Sequence, residues 1–226
     1  AWFEHAQFAP LRWTYERLRS ADLAFLRTLP EYYSLAPAGA PPVRFVHGSP
    51  RSPSEPVYPD REPRAADALR LVDEAVLGTA HIHIPWQTRS GGKLAFNPGS
   101  VGQPFNGDRR AQYAMLVARD GGWQVEHRAI DYDHRLLCEA FGQSGLLARG
   151  GAFARAALTS MMTGRDEIRP FLEHAARLAG DEEGWHDGLL PDRVWQRASA
   201  TYDWRACESG SGGAQTGARR GAVAAP

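Results

Sequence analysis

The sequence predicts an α/β fold with mixed sheets, followed by C-terminal helices. Two short apolar stretches, residues 43–46 and 75–77, have the length and composition of buried strands, and each is followed by a histidine. A helix predicted over residues 64–73 separates them, and a hairpin predicted over 112–130 follows. This order of strands and helix is typical of layered α/β domains.

The elements can be predicted in chain order. Residues 10–29 should form one or two helices, since Pro10 suits a first helical turn and Ser20 an N-cap. Residues 36–42 form a connector, and residues 49–63, with five prolines, form a loop. That loop is either a plain surface connection or a lid over a substrate. The apolar residues expected to be buried in the first helices are Trp13, Leu18, Phe25, Leu26 and Leu29.

The second half reads as a hairpin and then helices. Residues 93–96 predict a strand, and 112–118 and 122–130 predict a hairpin turning at Asp120-Gly121-Gly122. Helices are predicted over residues 133–141, 151–162 and 166–178, with an aromatic segment at 191–204 that packs back on the body. We therefore predict an α/β domain over 1–145, a helical extension over 146–205 and a disordered Gly/Ser/Ala-rich tail over 206–226.

Composition indicates an ordinary globular protein. The 226 residues carry zero net charge, with 26 basic and 26 acidic side chains, so we expect no nucleic-acid surface. No apolar run approaches the roughly 20 residues of a membrane span. The isolated Cys138 and Cys207 suit a reducing compartment, which predicts a cytoplasmic location.

Three histidines are the candidate metal ligands. His81 and His83 follow the apolar run 75–77, and on an extended strand their side chains would share one side, about 6.5 Å apart. Such a pair suits one metal or two neighbouring metals. His47 ends the other strand, and Gly48 would let the backbone turn close to a ligand. The alternative is that these histidines merely face solvent.

A turn follows the strand at 93–96. Pro98 and Gly99 occupy the central positions that a type II turn requires. We expect Asn97 to accept a backbone hydrogen bond in this turn, which is a structural role.

Calcineurin-like metallophosphoesterases resemble this chain in three segments: HGSP at 47–50, AHIHIP at 80–85 and NPGSVGQP at 97–104. The small prokaryotic phosphoesterases are the most similar branch, and the resemblance covers roughly residues 8–145. It implies the C-terminal part of an αββα sandwich with mixed sheets, so that 1–145 would be a partial metallophosphoesterase domain. The family's glycine and threonine are Ala80 and Ile82 here, which affects positioning without removing a ligand.

The resemblance also implies an activity. His47 and His81 would bind one divalent metal and His83 a second, with Mn favoured over Fe, Zn or Ni. The reaction would be hydrolysis of a phosphate mono- or diester by a metal-activated water. The substrate would be a phosphorylated small molecule, a nucleotide or a phosphoprotein.

Part of the family pattern is missing. The Asp-x-His, Gly-Asp and Gly-Asn-His segments are absent, which predicts an N-terminally truncated chain whose proton donor lies elsewhere. Two divalent ions carry four positive charges that neutral imidazoles do not offset, and Asp60, Asp73 and Asp108 have no metal-site spacing. The chain should therefore hold half a site and be inactive alone.

Two alternatives remain open. One is a non-catalytic scaffold on the same fold, as in the retromer subunit that resembles these enzymes. The other is a mononuclear protein whose single metal is held by the three histidines. Upstream metal-ligand segments would argue against the first, and one tightly held zinc per chain would favour the second.

Overall fold

A five-stranded mixed sheet forms the centre of the fold in the computed structural model, which describes residues 2–61, 63–119, 121–180 and 189–204. The strand order is β1-β2-β3-β5-β4, with β2, β3 and β5 parallel and the two edge strands antiparallel to their neighbours. The strands are β1 (Tyr32–Leu35), β2 (Val43–Val46), β3 (Val76–Gly78), β4 (Pro85–Ser90) and β5 (Lys93–Pro98).

The predicted hairpin forms a separate two-stranded sheet, and seven α-helices complete the described part of the chain. The hairpin consists of β6 (Ala111–Arg119) and β7 (Gly122–Ile130). Two short 3-10 turns, Trp2–Glu4 and Ala6–Phe8, precede the helices. The helices are α1 (Ala9–Tyr15), α2 (Ser20–Thr28), α3 (Ala65–Arg70), α4 (His134–Gln143), α5 (Leu146–Thr163), α6 (Ile168–Ala179) and α7 (Asp192–Thr201).

The central strands of the five-stranded sheet are covered on both faces. Successive strand residues point to opposite faces, so Leu77 packs beneath α3 while Val76 packs towards the hairpin. On the hairpin side, Phe45 and Phe96 meet edge to face with ring centroids 6.3 Å apart. They flank Gly78 in register, where a Cβ would lie 2.6 Å from the Phe45 ring. This layering confirms the predicted α/β class and its mixed sheet.

The C-terminal helices have their own core. Phe171 of α6 is fully buried and packs edge to face on Trp195 of α7, and Tyr202 and Trp204 close around it. The aromatic segment after residue 191 therefore packs back, as predicted. The N-terminal turns also join this core, because the Ala6 backbone N–H donates to the Asp192 carboxylate over 2.8 Å.

Several predictions about the elements were wrong. Strands β1 and β4 were not predicted. The N-cap of α2 is Arg19, not Ser20, with Asp22 completing the capping interaction. In the first two helices the expected core is not buried: Trp13 and Leu18 are half-buried. The side chains that were predicted to be buried but are exposed are Phe25, Leu26 and Leu29.

Some predictions lie outside the described residues. These concern Asp120 of the predicted turn, Cys207 and the tail over 206–226 that was predicted to be disordered. Within the described part, no helix has the length and apolar content needed to cross a bilayer.

Candidate metal centre

Two of the predicted ligands meet at the ends of adjacent parallel strands. Phe45 of β2 is in register with Gly78 of β3, and beyond this point the Ala80 N–H donates to the His47 carbonyl over 2.8 Å. This pairing brings the imidazoles of His47 and His81 together with ring centroids 5.3 Å apart and planes at 70°. The carboxyl ends of the two parallel strands thus bring the rings of His47 and His81 together, while the sharing of a metal stays a prediction.

The backbone at His81 and His83 is unusual. Among the described residues, His81 and His83 are the non-glycine residues with positive φ, at 65° and 58°. The left-handed region costs an L-residue free energy, and such residues concentrate at functional sites. The prediction that His81 and His83 lie on a strand was wrong. Strand β3 ends at Gly78, and both histidines lie in the loop that follows.

His83 is held separately from the other two histidines. Its Nδ1 lies 2.8 Å from the carbonyl oxygen of Gln103, and a carbonyl can only accept. Nδ1 therefore carries the proton, and in the neutral ring Nε2 keeps a lone pair for a metal. The ring stacks on Phe105 with centroids 4.9 Å apart, and the Phe105 N–H donates to the His83 carbonyl over 3.0 Å. The ring orientation is thus fixed from two sides.

Asn97 supports the histidine loop from beneath. Its side chain is fully buried, its Nδ2 donates to the Ala80 carbonyl over 2.6 Å, and its Oδ1 accepts from the Gly99 N–H over 3.0 Å. Gly99 has φ 88°, as the third position of a type II turn requires. The predicted structural role of Asn97 is confirmed, and it extends to the residue that precedes His81.

Gly48 is required by the chain's own backbone. A Cβ at this position would lie 2.6 Å from each of three carbonyl oxygens, those of Ser52, Pro53 and Glu55. The loop after His47 is folded onto this glycine, and the Ser49 hydroxyl donates to the Glu55 carboxylate. The close approach predicted at Gly48 is therefore present, but to this loop.

The electrostatic surroundings favour a neutral His81. Partial burial lowers the pKa of its imidazole, and the nearby rings of His47 and His83 lower it further. A neutral ring keeps the lone pair that a metal needs. His47 is exposed, so the pair is open to solvent on that side.

The donor set fits part of a metal shell. With a metal–nitrogen bond of about 2.1 Å and a tetrahedral angle, two imidazole centroids lie about 5 Å apart, which matches the His47–His81 pair. Within the described residues no group of three or more His, Cys, Asp or Glu side chains could hold a metal. The Asp108 carboxylate, for example, forms an ion pair with the Arg110 guanidinium, with an N–O distance of 2.6 Å. The structure thus brings together two of the three predicted ligands, with His83 nearby.

Sequence reasoning missed the residues that orient His83. Gln103 acts through its backbone carbonyl, which no side-chain pattern could indicate, although it lies in the NPGSVGQP segment. Phe105 lies just beyond that segment and has no distinguishing signal of its own.

Comparison with known proteins adds a fold relationship. No protein-family model matches the chain. A metallophosphoesterase from Sphaerobacter thermophilus superposes with a TM-score of 0.55 at 26% identity, over 68% of this chain and 66% of that one. A hypothetical protein from Pyrococcus horikoshii gives a TM-score of 0.55 at 21% identity, over 69% and 59% of the two chains.

A curated relative matches at the sequence level. An uncharacterized protein from Methanocaldococcus jannaschii is 29% identical over 138 residues, which are 54% of this chain and 54% of that protein. The chain therefore spans about half the length of this relative. The superposition on the Sphaerobacter metallophosphoesterase confirms, at the level of the fold, the predicted resemblance to the calcineurin-like metallophosphoesterases.

Proposed function

We propose that this chain, which has the fold of the metallophosphoesterases, supplies ligands to the binuclear metal centre of a phosphoesterase. The observation that carries the proposal is the proximity of His47 and His81, whose ring centroids lie 5.3 Å apart at the ends of two parallel strands. The left-handed backbone at His81 and His83 supports it, because a fold without a site gains nothing from that strain.

Each histidine has a distinct part in the proposal. His47 and His81 would hold one divalent ion, and His83 would hold the second through Nε2, oriented by the Gln103 carbonyl. When bound, the metals would lower the pKa of a water molecule and polarise the phosphoryl oxygens. The charge-neutralising carboxylates and the proton donor would come from residues outside the described part of the chain.

The substrate in this proposal is a phosphate mono- or diester carried by a small molecule, a nucleotide or a phosphoprotein. Manganese is the favoured metal, with iron, zinc and nickel as the other candidates. A cytoplasmic location belongs to the same proposal and rests on the isolated cysteines in the sequence.

The test is manganese-dependent cleavage of bis-p-nitrophenyl phosphate by the full-length protein. His81→Ala should lower the rate at least 100-fold, because it removes a metal ligand, while leaving the unfolding midpoint unchanged or higher. His174→Ala is the matched control, since this histidine lies on α6 with its Nε2 at the Thr201 hydroxyl, and it should keep full activity. Unchanged turnover in His81→Ala would reject the catalytic role.

Metal analysis separates the alternatives. The binuclear proposal expects two divalent ions per full-length protein by elemental analysis and a loss of metal in His81→Ala. One tightly bound zinc would favour the mononuclear site instead. A protein that binds no metal and cleaves no phosphate ester would be the non-catalytic scaffold.

A further inference from the structure

A cavity of about 460 Å³ opens beside His81. One wall is formed by the histidine loop, through Ile82 and Ile84, and by Phe105. A second wall comes from the proline-rich loop over 49–63, and a third from the start of α6. Three separate parts of the sequence therefore surround one space next to the candidate metal ligands.

One backbone hydrogen bond and a close backbone approach hold the start of α6 at this position. The Gly107 N–H donates to the Gly164 carbonyl over 2.8 Å, and Gly164 has φ 71°. A Cβ on Gly164 would lie 2.8–2.9 Å from the backbone of Asp108 and Arg109, so the two segments are in close contact. The Phe105 N–H donates a hydrogen bond to the His83 carbonyl, and Phe105 lies two residues before Gly107. The segment 105–109 therefore connects the α5–α6 junction to the loop that carries His81 and His83.

The cavity combines apolar walls with two guanidinium groups and one carboxylate, that of Asp166. Its apolar surface includes Ile82 and Ile84, and its guanidinium groups belong to Arg61 and Arg169. Arg61 lies over the Tyr58 ring at 4.1 Å, which fixes its position without neutralising its charge.

The second guanidinium is held by a nearby carboxylate. The Arg169 Nε lies 3.4 Å from the Asp166 carboxylate, and its side chain is 66% exposed, so its remaining N–H groups can reach a ligand.

We propose that this cavity, defined by Ile82, Ile84, Arg61 and Arg169, selects phosphate esters that carry an apolar ring and a second anionic group. The proposal rests on the phosphoesterase function: the ester phosphate would lie at the histidines, the ring against the isoleucines, and the second anion between the two arginines. A guanidinium fork suits a carboxylate or phosphate, which it can bind through two parallel hydrogen bonds. The C-terminal helices would thereby determine substrate choice.

The test compares two non-hydrolysable ligands by isothermal titration calorimetry on the full-length protein with manganese. Phenylphosphonate offers one anion and a ring, and 4-phosphonobenzoate adds a carboxylate on the far side of the ring. The wild-type protein should bind 4-phosphonobenzoate 5- to 20-fold more tightly than phenylphosphonate. Arg169→Gln and Arg61→Gln should each reduce that ratio to below 3 while leaving the affinity for phenylphosphonate within about twofold.

Two variants sharpen the result. Arg177→Gln removes an exposed arginine from the last turn of the same helix, away from the cavity, and should keep the wild-type ratio. Arg169→Lys keeps the charge but not the fork and should restore the ratio only in part. All four variants should unfold at the wild-type urea midpoint.

The failure of this proposal is distinguishable from failure of the phosphoesterase function. Equal affinity for the two phosphonates in the wild type, a ratio that survives Arg61→Gln and Arg169→Gln, or no binding of either compound would overturn it. Cleavage of bis-p-nitrophenyl phosphate, which carries no second anion, tests the metal centre separately.

Discussion

Strand β3 and helix α2 both carry large apolar side chains, but these side chains are buried in β3 and exposed in α2. Val76 and Leu77 of β3 are 1% and 0% exposed. Phe25 and Leu26 of α2 are 62% and 46% exposed, and α2 contains no buried residue. Strand β1, which follows α2, is exposed at all four of its residues.

The difference arises from neighbours, not from composition. β3 has a parallel strand on each side, α3 over one face and the hairpin over the other. Among the described residues no layer covers the apolar side of α2. Burial of an apolar surface lowers the free energy of the folded protein, but the order of the strands and helices determines whether another element covers that surface. Free energies of unfolding should therefore separate the two regions sharply.

The largest effect is expected at the centre of the sheet. Leu77→Ala removes a fully buried side chain between α3 and the strands and should lower the free energy of unfolding by about 3 kcal/mol. Leu26→Ala makes the same chemical change on α2 and should cost less than about 0.5 kcal/mol. Urea unfolding measures both, and equal losses would mean that α2 is covered in solution.

A similar loss is expected at Gly48, where the proline-rich loop folds back on its own start. Gly48→Ala would place a methyl group against three backbone carbonyls, one of which, that of Ser52, accepts two backbone hydrogen bonds, at a cost of about 2 kcal/mol. Gly102→Ala is the matched control, because a Cβ there has no atom within 4 Å. If both variants unfold at the same urea concentration, the close packing around Gly48 is not present in solution.

An ion pair ties the edge of the sheet to its centre. Glu74 accepts from Arg44 of β2 over 2.9 Å and from the Ser34 hydroxyl of β1, and its side chain is only 9% exposed. Glu74→Gln should lower stability at pH 7 by about 1.5 kcal/mol, since it weakens both contacts. Its exposed counterpart Glu139→Gln, whose partner Arg135 is 67% exposed, should have almost no effect.

The same pair predicts a pH dependence. Burial alone would raise the pKa of Glu74, but the hydrogen bonds from Ser34, from the Glu74 backbone and from Arg44, together with the charge of Arg44, outweigh burial and hold this pKa below its ordinary value of 4.5. The stabilisation is therefore complete above pH 4.5 and is lost as pH falls through the lowered pKa. Between pH 5 and 3 the wild type should lose more stability than Glu74→Gln, and parallel losses would contradict this assignment.

The smallest effect is expected on the exposed face of α2. Phe25→Ser should change the free energy of unfolding by less than about 0.5 kcal/mol, because the ring is 62% exposed. The same change should reduce the fluorescence of a hydrophobic dye that binds exposed apolar surface. Phe25, Tyr32 and Tyr33 all contribute exposed apolar surface. Unchanged dye binding would show that the face is not accessible.

Sequence predicted most of the fold because the sheet residues carry strong local signals. The hairpin, α4 and the turn at Asn97 were all readable from short patterns. Strand β4 was missed since it follows the histidine loop without an apolar run. The burial of α2 was predicted wrongly because amphipathicity cannot reveal whether a covering layer exists.

The site was predicted in part. The residue types and the meeting of His47 with His81 follow from parallel strands whose carboxyl ends lie together. The left-handed backbone of His81 and His83 was not predicted, because the contacts that hold this loop, such as the bond from Asn97 to the Ala80 carbonyl, come from residues distant in sequence. The arginines beside the cavity carry no local pattern, since they come from separate segments.

The left-handed histidines have a consequence for any effort to improve this protein. Glycine or asparagine would occupy positions 81 and 83 with less backbone strain, so directed evolution for heat resistance alone should enrich those residues there. Libraries that are also selected for turnover should retain histidine. Sequencing both pools would report, without any assay of the purified protein, whether robustness and chemistry compete at this loop.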